Sequence, residues 1–277
     1  VENGTISTVK LESGVVLAMR QLTLADENFM AEAKKQRRGN ALTRAMQEVL
    51  ERCTAEVVDP GPYQFLDAHG KADWHRMCAG DRIKAMLELR KLSYTDGEVY
   101  TVENVTCPCS YVWDHDFNID EDLTYQPLSE ESAELLREGK PFEVKIDNRL
   151  VQFRLQSGDN EELFDKLKRQ KPGRKMAAGL RSRIVGVEGL EARDIMDWLD
   201  GNNGQSEKYP GLSSDDAEQL RDAFDAADCG VDTEVEAECP DCGRFVRFDL
   251  PFDGILLPGK KIRERKRARR GMVSSGR

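Results

Sequence analysis

Apolar and polar positions alternate along this chain in short bursts, and the bursts come in pairs. "VKLESGVVLAMR" near the start sets a Ser13-Gly14 turn between two alternating runs, which predicts a β-hairpin. "VKIDNRLVQFR" repeats the arrangement around Asp147-Asn148. Arg20 or Arg154 ends the second run, and Thr23 or Ser157 then precedes Glu27 or Glu161, as at the mouth of a helix. Further on, "GDRIKAMLELRKLSYTDG" and "SSDDAEQLRDAFDAADCG" each open on acidic residues and end near a glycine. Their apolar residues fall three and four apart (Ile83, Met86, Leu87; Ala217, Leu220, Phe224), which predicts two amphipathic helices. Each leads into β-like runs around a tight cysteine pair: "EVYTVENVTCPCSYVW" at 98–113 and "VEAECPDCGRFVRFDL" at 235–250.

The same four features in the same order predict an internal duplication. Repeat one covers roughly 5–125 and repeat two roughly 140–257. Each reads hairpin, helical middle, helix, Cys-bearing hairpin. The fold class this implies is α+β, with two pseudo-symmetric repeats at 1–130 and 131–258 and a basic arm at 259–277. Between the paired features, 31–52 predicts a helix interrupted at Gly39, and 53–74, with its Pro-Gly-Pro turn, a loop or short extended piece. Residues 165–183 are basic and broken at Pro172-Gly173, fitting either contact with an acidic partner or nucleic acid, or a solvated loop facing an acidic body. Residues 194–200 resume a helix, and 200–211 read as a flexible surface loop.

Cysteine spacing adds chemistry. Cys239-Pro-Asp-Cys242-Gly is a knuckle signal, because the glycine permits a left-handed turn that aims backbone N–H groups at sulfur. A closed zinc site needs four ligands, and this hairpin supplies two. A pseudo-twofold axis would bring Cys107 and Cys109 to Cys239 and Cys242, completing a structural Zn²⁺(Cys)₄ site. Cys107-Pro-Cys109 is one residue shorter than the other pair, and His115 is the available substitute ligand. Disulfides or free thiols are the competing reading. Cys53, Cys78 and Cys229 fit no pair; Cys53 and Cys78 read as buried thiols, and His75 with Cys78 as structural neighbours.

Seven cysteines, an odd number in a large chain, argue for thiols or a metal site rather than a secreted disulfide framework, and "VENGTISTVKLESG", without an apolar signal core, for cytoplasmic synthesis. Three histidines leave little material for a His-based centre. No P-loop, GxSxG, HExxH or GxGxxG is present, and "DHDFNIDEDL" (114–123) lacks the EF-hand pattern, so the expectation is a non-enzyme without a small-molecule substrate. No apolar stretch is long enough to predict a membrane span.

Charge is uneven. "KKIRERKRARR" (260–270) holds eight positive charges and one negative, so the rest of the chain is near −17 against a total of −10. Lys260, Lys261, Arg263, Arg265, Lys266, Arg267, Arg269 and Arg270 form either a nucleic-acid arm or an arm that docks on an acidic protein neighbour. The apolar "GILLPG" before it and the lack of interleaved aromatics favour the protein partner.

Three stretches carry a family resemblance: "VKLESGVVLAMRQLTLADE", "GDRIKAMLELRKLSY" leading into "VTCPCS", and "GVDTEVEAECPDCGRFVRFDLPF". Together they resemble the baseplate hub proteins of contractile-tailed bacteriophages of the T-even type. That resemblance implies a structural or assembly protein of the virion, put together in the host cytoplasm with other baseplate and tail proteins as partners. CPC departs from the expected CxxC, the basic arm is no mark of the family, and the opening strand motif is shared with tail assembly chaperones. A transient assembly chaperone, or a zinc-containing nucleic-acid-binding protein using the arm, are therefore the alternatives.

Overall fold

In the computed structural model, residues 6–35, 41–204, 206, 208–251 and 255–257 are described. The predicted break at Gly39 and the basic arm at 259–277 lie outside them. The first hairpin pairs β1 (Ile6–Lys10) with β2 (Val16–Arg20), antiparallel. Gly14 takes φ +94° at the turn, where a side chain would strain the backbone. Alternation sends Val9, Leu11, Val15, Leu17 and Met19 inward. Helices α1 (Leu24–Lys35) and α2 (Ala41–Cys53) follow. The chain then returns as β3 (Thr54–Asp59), giving the sheet order β1-β2-β3. Residues 53–59, expected to be a loop or short extended piece, thus hold a paired strand.

Helix α3 (Ala79–Ser93) carries Met86 and Leu87 into the core, with Ile83 half-buried, and leads to the hairpin of β4 (Val99–Thr106) and β5 (Val112–Asn118). A two-residue strand, β6 (Tyr125–Gln126), and a capped helix, α4 (Glu130–Arg137), connect to the second half. There β7 (Phe142–Ile146) and β8 (Arg149–Phe153) form the hairpin. Helix α5 (Gly158–Gln170), a 3-10 turn at Pro172–Arg174 and α6 (Lys175–Arg183) follow. Strand β9 (Ile184–Val187) then completes the order β7-β8-β9. Helices α7 (Ile195–Gly204) and α8 (Ser214–Ala227) lead to β10 (Gly230–Val231) and the last hairpin, β11 (Glu234–Glu238) with β12 (Phe245–Asp249).

Several local expectations shift. The basic stretch 165–183 is helix, turn, helix; Arg174 is buried and ion-paired to Asp197 and Asp200, and Arg183 to Asp228. The predicted loop at 200–211 begins as the last turn of α7, and Tyr209 is buried in the second core. Helices do open after Thr23 and Ser157, but the side chains that close the caps are Asp26 and Asn160, one residue earlier than Glu27 and Glu161. Among the described residues, no helix is long and apolar enough to cross a membrane.

Two apolar cores form, and they do not divide the chain at one point. The first gathers β1–β2, α2, α3 and β4–β5 with Val235, Leu250, Ile255 and Leu256. The second gathers β7–β9 and α6–α8 with Cys78. Arg90, buried on α3, donates to Ile255 O (2.8 Å), Leu257 O (3.1 Å) and Val99 O (3.1 Å), fastening the C-terminal described segment to that helix. The halves are stitched by the β6–β10 pairing, by Ala79 N to Gln156 O (2.7 Å) and Gly158 N to His75 O (2.8 Å), and by an Arg82–Glu161 ion pair. At this seam α3 approaches β10 so closely that a Cβ on Gly80 would lie 1.9 Å from Cys229 O.

Candidate metal centre

Both cysteine hairpins turn in the same way. In the first tip Cys107 N donates to Tyr111 O (2.9 Å) and Ser110 N to Cys107 O (2.8 Å). In the second, Cys239 N donates to Arg244 O (2.8 Å) and Gly243 N to Cys239 O (2.9 Å). The residue after the second cysteine is left-handed in each, Ser110 at φ +74° and Gly243 at φ +71°. Glycine adopts that conformation freely, whereas Ser110 holds it with a side chain in place. The short CPC spacing tells in the closing bond, which runs from Ser110 N to Cys107 O, three residues back, against four from Gly243 N to Cys239 O.

Packed on the same core, the tips bring Cys107, Cys109, Cys239 and Cys242 together, all four sulfurs lying within 4.8 Å of one another. The pairs cross between hairpins. Cys107 Sγ lies 3.5 Å from Cys242 Sγ, and Cys109 Sγ lies 3.8 Å from Cys239 Sγ. In each crossing one cysteine is buried and one exposed. Two thiolates on tetrahedral Zn²⁺, with Zn–S of about 2.3 Å, stand about 3.8 Å apart, so the spacing fits the metal. It does not fit a disulfide, whose sulfurs are about 2.05 Å apart.

Backbone donors complete the knuckles. Burial pushes the Cys239 thiol up, but the N–H groups of Cys242 and Asp241, with the neighbouring thiols, outweigh it and bring the group down to about 7. The N–H of Cys109 favours the Cys107 thiolate, yet burial and the three surrounding thiols hold Cys107 at about 12. Four sulfurs this close could hold one metal ion, which would replace their protons. A set closed by four protein ligands leaves no open position for a substrate.

His115 is not part of this group. It sits on β5 opposite Val102, with its ring edge-on to Phe248. Cys53 is buried in the first core, its thiol pushed up to about 12 by burial. Cys78 and Cys229, which spacing left unpaired, prove to be neighbours: their sulfurs are 3.8 Å apart, with Asp81 beside them. Cys78 is buried, at the N-cap position of α3 and without a side-chain cap hydrogen bond. His75 Nε2 faces Asp159 (3.2 Å) and Glu162 (3.9 Å) across the seam. In 114–123, Asp114 accepts from Asn104 N, Asp116 from Thr101 and Asp122 from Asn118 N, while Asp120 pairs with Lys91.

Fold and site together define an α+β protein in which hairpins far apart in sequence meet at a closed four-thiol cluster. The chain belongs to the T4 bacteriophage base plate protein family, whose model matches residues 4–255. It is a T4-type phage baseplate protein. No curated protein and no solved structure matches the chain.

Proposed function

We propose that this chain is a non-enzymatic structural component of the baseplate of a contractile phage tail, at or near the hub, scaffolding neighbouring subunits in the virion. The observation that carries the reading is the crossing of four thiols from hairpins about 132 residues apart, in a chain of the baseplate family. One structural Zn²⁺ held by Cys107, Cys109, Cys239 and Cys242 would tie the two hairpins across the first core. A part that transmits the force of tail contraction benefits from such a tie, because it resists shear between hairpins that are otherwise joined by apolar packing and a hydrogen bond from Tyr100 Oη to Pro251 O (2.9 Å).

Partners are other baseplate and tail proteins. The cluster's rim presents Tyr111, Val112 and Phe245 to solvent, apolar surface of the kind that neighbours cover. The arm from Lys260 to Arg270 supplies opposite charge for an acidic neighbour. The matching orders of the two antiparallel sheets, β1-β2-β3 and β7-β8-β9, support a duplicated origin. In both halves a helix pair precedes the third strand, and a helix precedes the Cys-bearing hairpin.

Electron microscopy of lysates tests the reading. With a nonsense mutation in this reading frame, infected non-suppressing cells should yield no complete baseplates or contractile tails, and a plasmid copy should restore both. Normal tails made without the chain would overturn it.

A further inference from the structure

A second thiol cluster lies at the seam between the halves, built from residues that the four-cysteine site does not use. Cys78 is at the N-cap position of α3, Asp81 lies in the first turn of that helix, and Cys229 lies between α8 and β10. All three are buried, at 4%, 0% and 7% exposure. One ligand atom from each falls within 4.8 Å of the others.

We propose that Cys78, Asp81 and Cys229 bind a second thiophilic divalent cation of the zinc class, riveting α3 to the exit of α8. Their sulfurs are 3.8 Å apart, the same as Cys109 to Cys239 and about the edge of a zinc–thiolate tetrahedron. Proximity alone would bring two thiols into such contact; Asp81 makes this a site. Its Oδ1 accepts from Ser13 N (3.2 Å), and its Oδ2 from Tyr63 Oη (2.7 Å) and from the Ser13 hydroxyl. All of these donors are neutral, and among the described residues no Lys or Arg pairs with Asp81. Neighbouring Arg82 is turned to Glu161. The N-terminus of α3 offsets part of the buried charge. A bound cation would supply the rest, and the hydrogen bonds to Asp81 are the outer arrangement that orients a ligating carboxylate. Besides Ser13 N on Oδ1, the carboxylate takes a hydrogen bond from the Cys78 thiol, the proton that a cation would replace. Tyr63 Oη, which donates to Asp81 Oδ2 (2.7 Å) and accepts from Cys78 N (3.3 Å), belongs to that outer arrangement and holds both ligand-bearing residues in place.

Binding releases the two thiol protons to solvent and changes no oxidation state. The site also lies where the backbones touch, next to Gly80 and Gly230, so the cation would hold the halves at their closest approach.

The test is zinc counted per chain on the full-length protein, purified under reducing conditions and checked for folding by circular dichroism. Wild type should carry two zinc ions, Cys229→Ser one, and the double variant Cys239→Ser/Cys242→Ser one. If the four-cysteine site holds no zinc, wild type should carry one, lost in Cys229→Ser and kept in the double variant; that result sustains this site and removes the other. Should Cys229→Ser fail to fold, Asp81→Asn keeps the hydrogen-bond acceptor and should release zinc at a chelator concentration that wild type withstands. A zinc count unchanged in folded Cys229→Ser, or Asp81→Asn retaining zinc like wild type, would overturn the proposal. So would a mass lower by two hydrogens that maps to a Cys78–Cys229 disulfide.

Discussion

Replacing Gly80 with alanine sets helix propensity against the packing of the halves, and the packing decides the sign. Gly80 sits in the first turn of α3, where alanine alone should help by about 1 kcal/mol through helix propensity. Against that, its Cβ would lie 1.9 Å from Cys229 O, 2.6 Å from Gly230 Cα and 2.8 Å from Cys229 C. The contact to Gly230 Cα is about 1 Å short of the roughly 3.5 Å at which carbon atoms rest. All three neighbours are backbone, so no side chain can rotate away and α3 must separate from β10. Overpacking of this kind costs about 3 kcal/mol, the upper end of its usual range. The net loss is then about 2 kcal/mol, or a Tm lower by about 4–8 °C for a chain of this size. Gly179 is the control: it lies within α6, and its Cβ would meet only Phe164 Cε2, at 4.0 Å. Gly179→Ala should raise Tm by about 2–4 °C through the same propensity term. Thermal and urea unfolding of both variants decide the matter. A Gly80→Ala protein as stable as wild type, or more so, would refute the seam.

Other outcomes follow from single interactions. Arg174, 4% exposed, binds Asp200 Oδ2 (2.8 Å), Asp197 Oδ1 (2.9 Å) and Met196 O (2.5 Å). Arg174→Met should lose about 2–3 kcal/mol, because the carboxylates keep some water; an unchanged urea midpoint would contradict this. Burial pushes the Asp26 carboxyl up, but Arg20 at 2.8 Å and the Thr23 N–H and hydroxyl outweigh it and leave it below its usual value. A lowered carboxylate stabilises the fold above its unfolded pKa, about 3.9, and that contribution drains away as pH falls towards the folded value. Asp26→Asn should therefore flatten the acid limb of urea midpoints between about pH 5 and pH 3; an acid limb identical to wild type would contradict the pairing. A zinc chelator should lower the wild-type Tm, since losing a metal present at about 1,000 times its Kd removes about 4 kcal/mol. Cys239→Ser/Cys242→Ser should melt lower even with zinc added, and a wild-type Tm indifferent to the chelator would contradict a metal tie.

What the sequence discloses follows the range of the forces involved. The hairpins at Ser13-Gly14 and Asp147-Asn148 and the helices at Ile83–Leu87 and Ala217–Phe224 are written in local spacing, and the fold has them. The convergence of Cys107, Cys109, Cys239 and Cys242 was open to inference because each pair sits at a turn, and the paired features suggested the long-range step. Strands β3 and β9 left weak traces. Each is short, follows a helix directly and pairs through a register shift at its neighbour. Strand β3 also shows little of the inward-outward alternation that marks a half-buried strand. Cys78, Asp81 and Cys229 meet across 151 residues, with Tyr63 and Ser13 arriving from two further segments, and nothing in their local spacing announces it. The burial of Arg174 was hidden for the same reason: in "KRQKPGRK" it looks like one cation among many, and only Asp197 and Asp200 on α7 set it apart.

As proposed, this baseplate-family chain stays in the finished tail as a structural part. Peptide mass spectrometry of extensively washed phage particles, quantified per particle, puts that to the test. The expected result is a small, fixed copy number that stays with the tail when heads are removed. Absence from particles, with abundance in the infected cell, would contradict it and make the chain an assembly factor that leaves before the virion is complete.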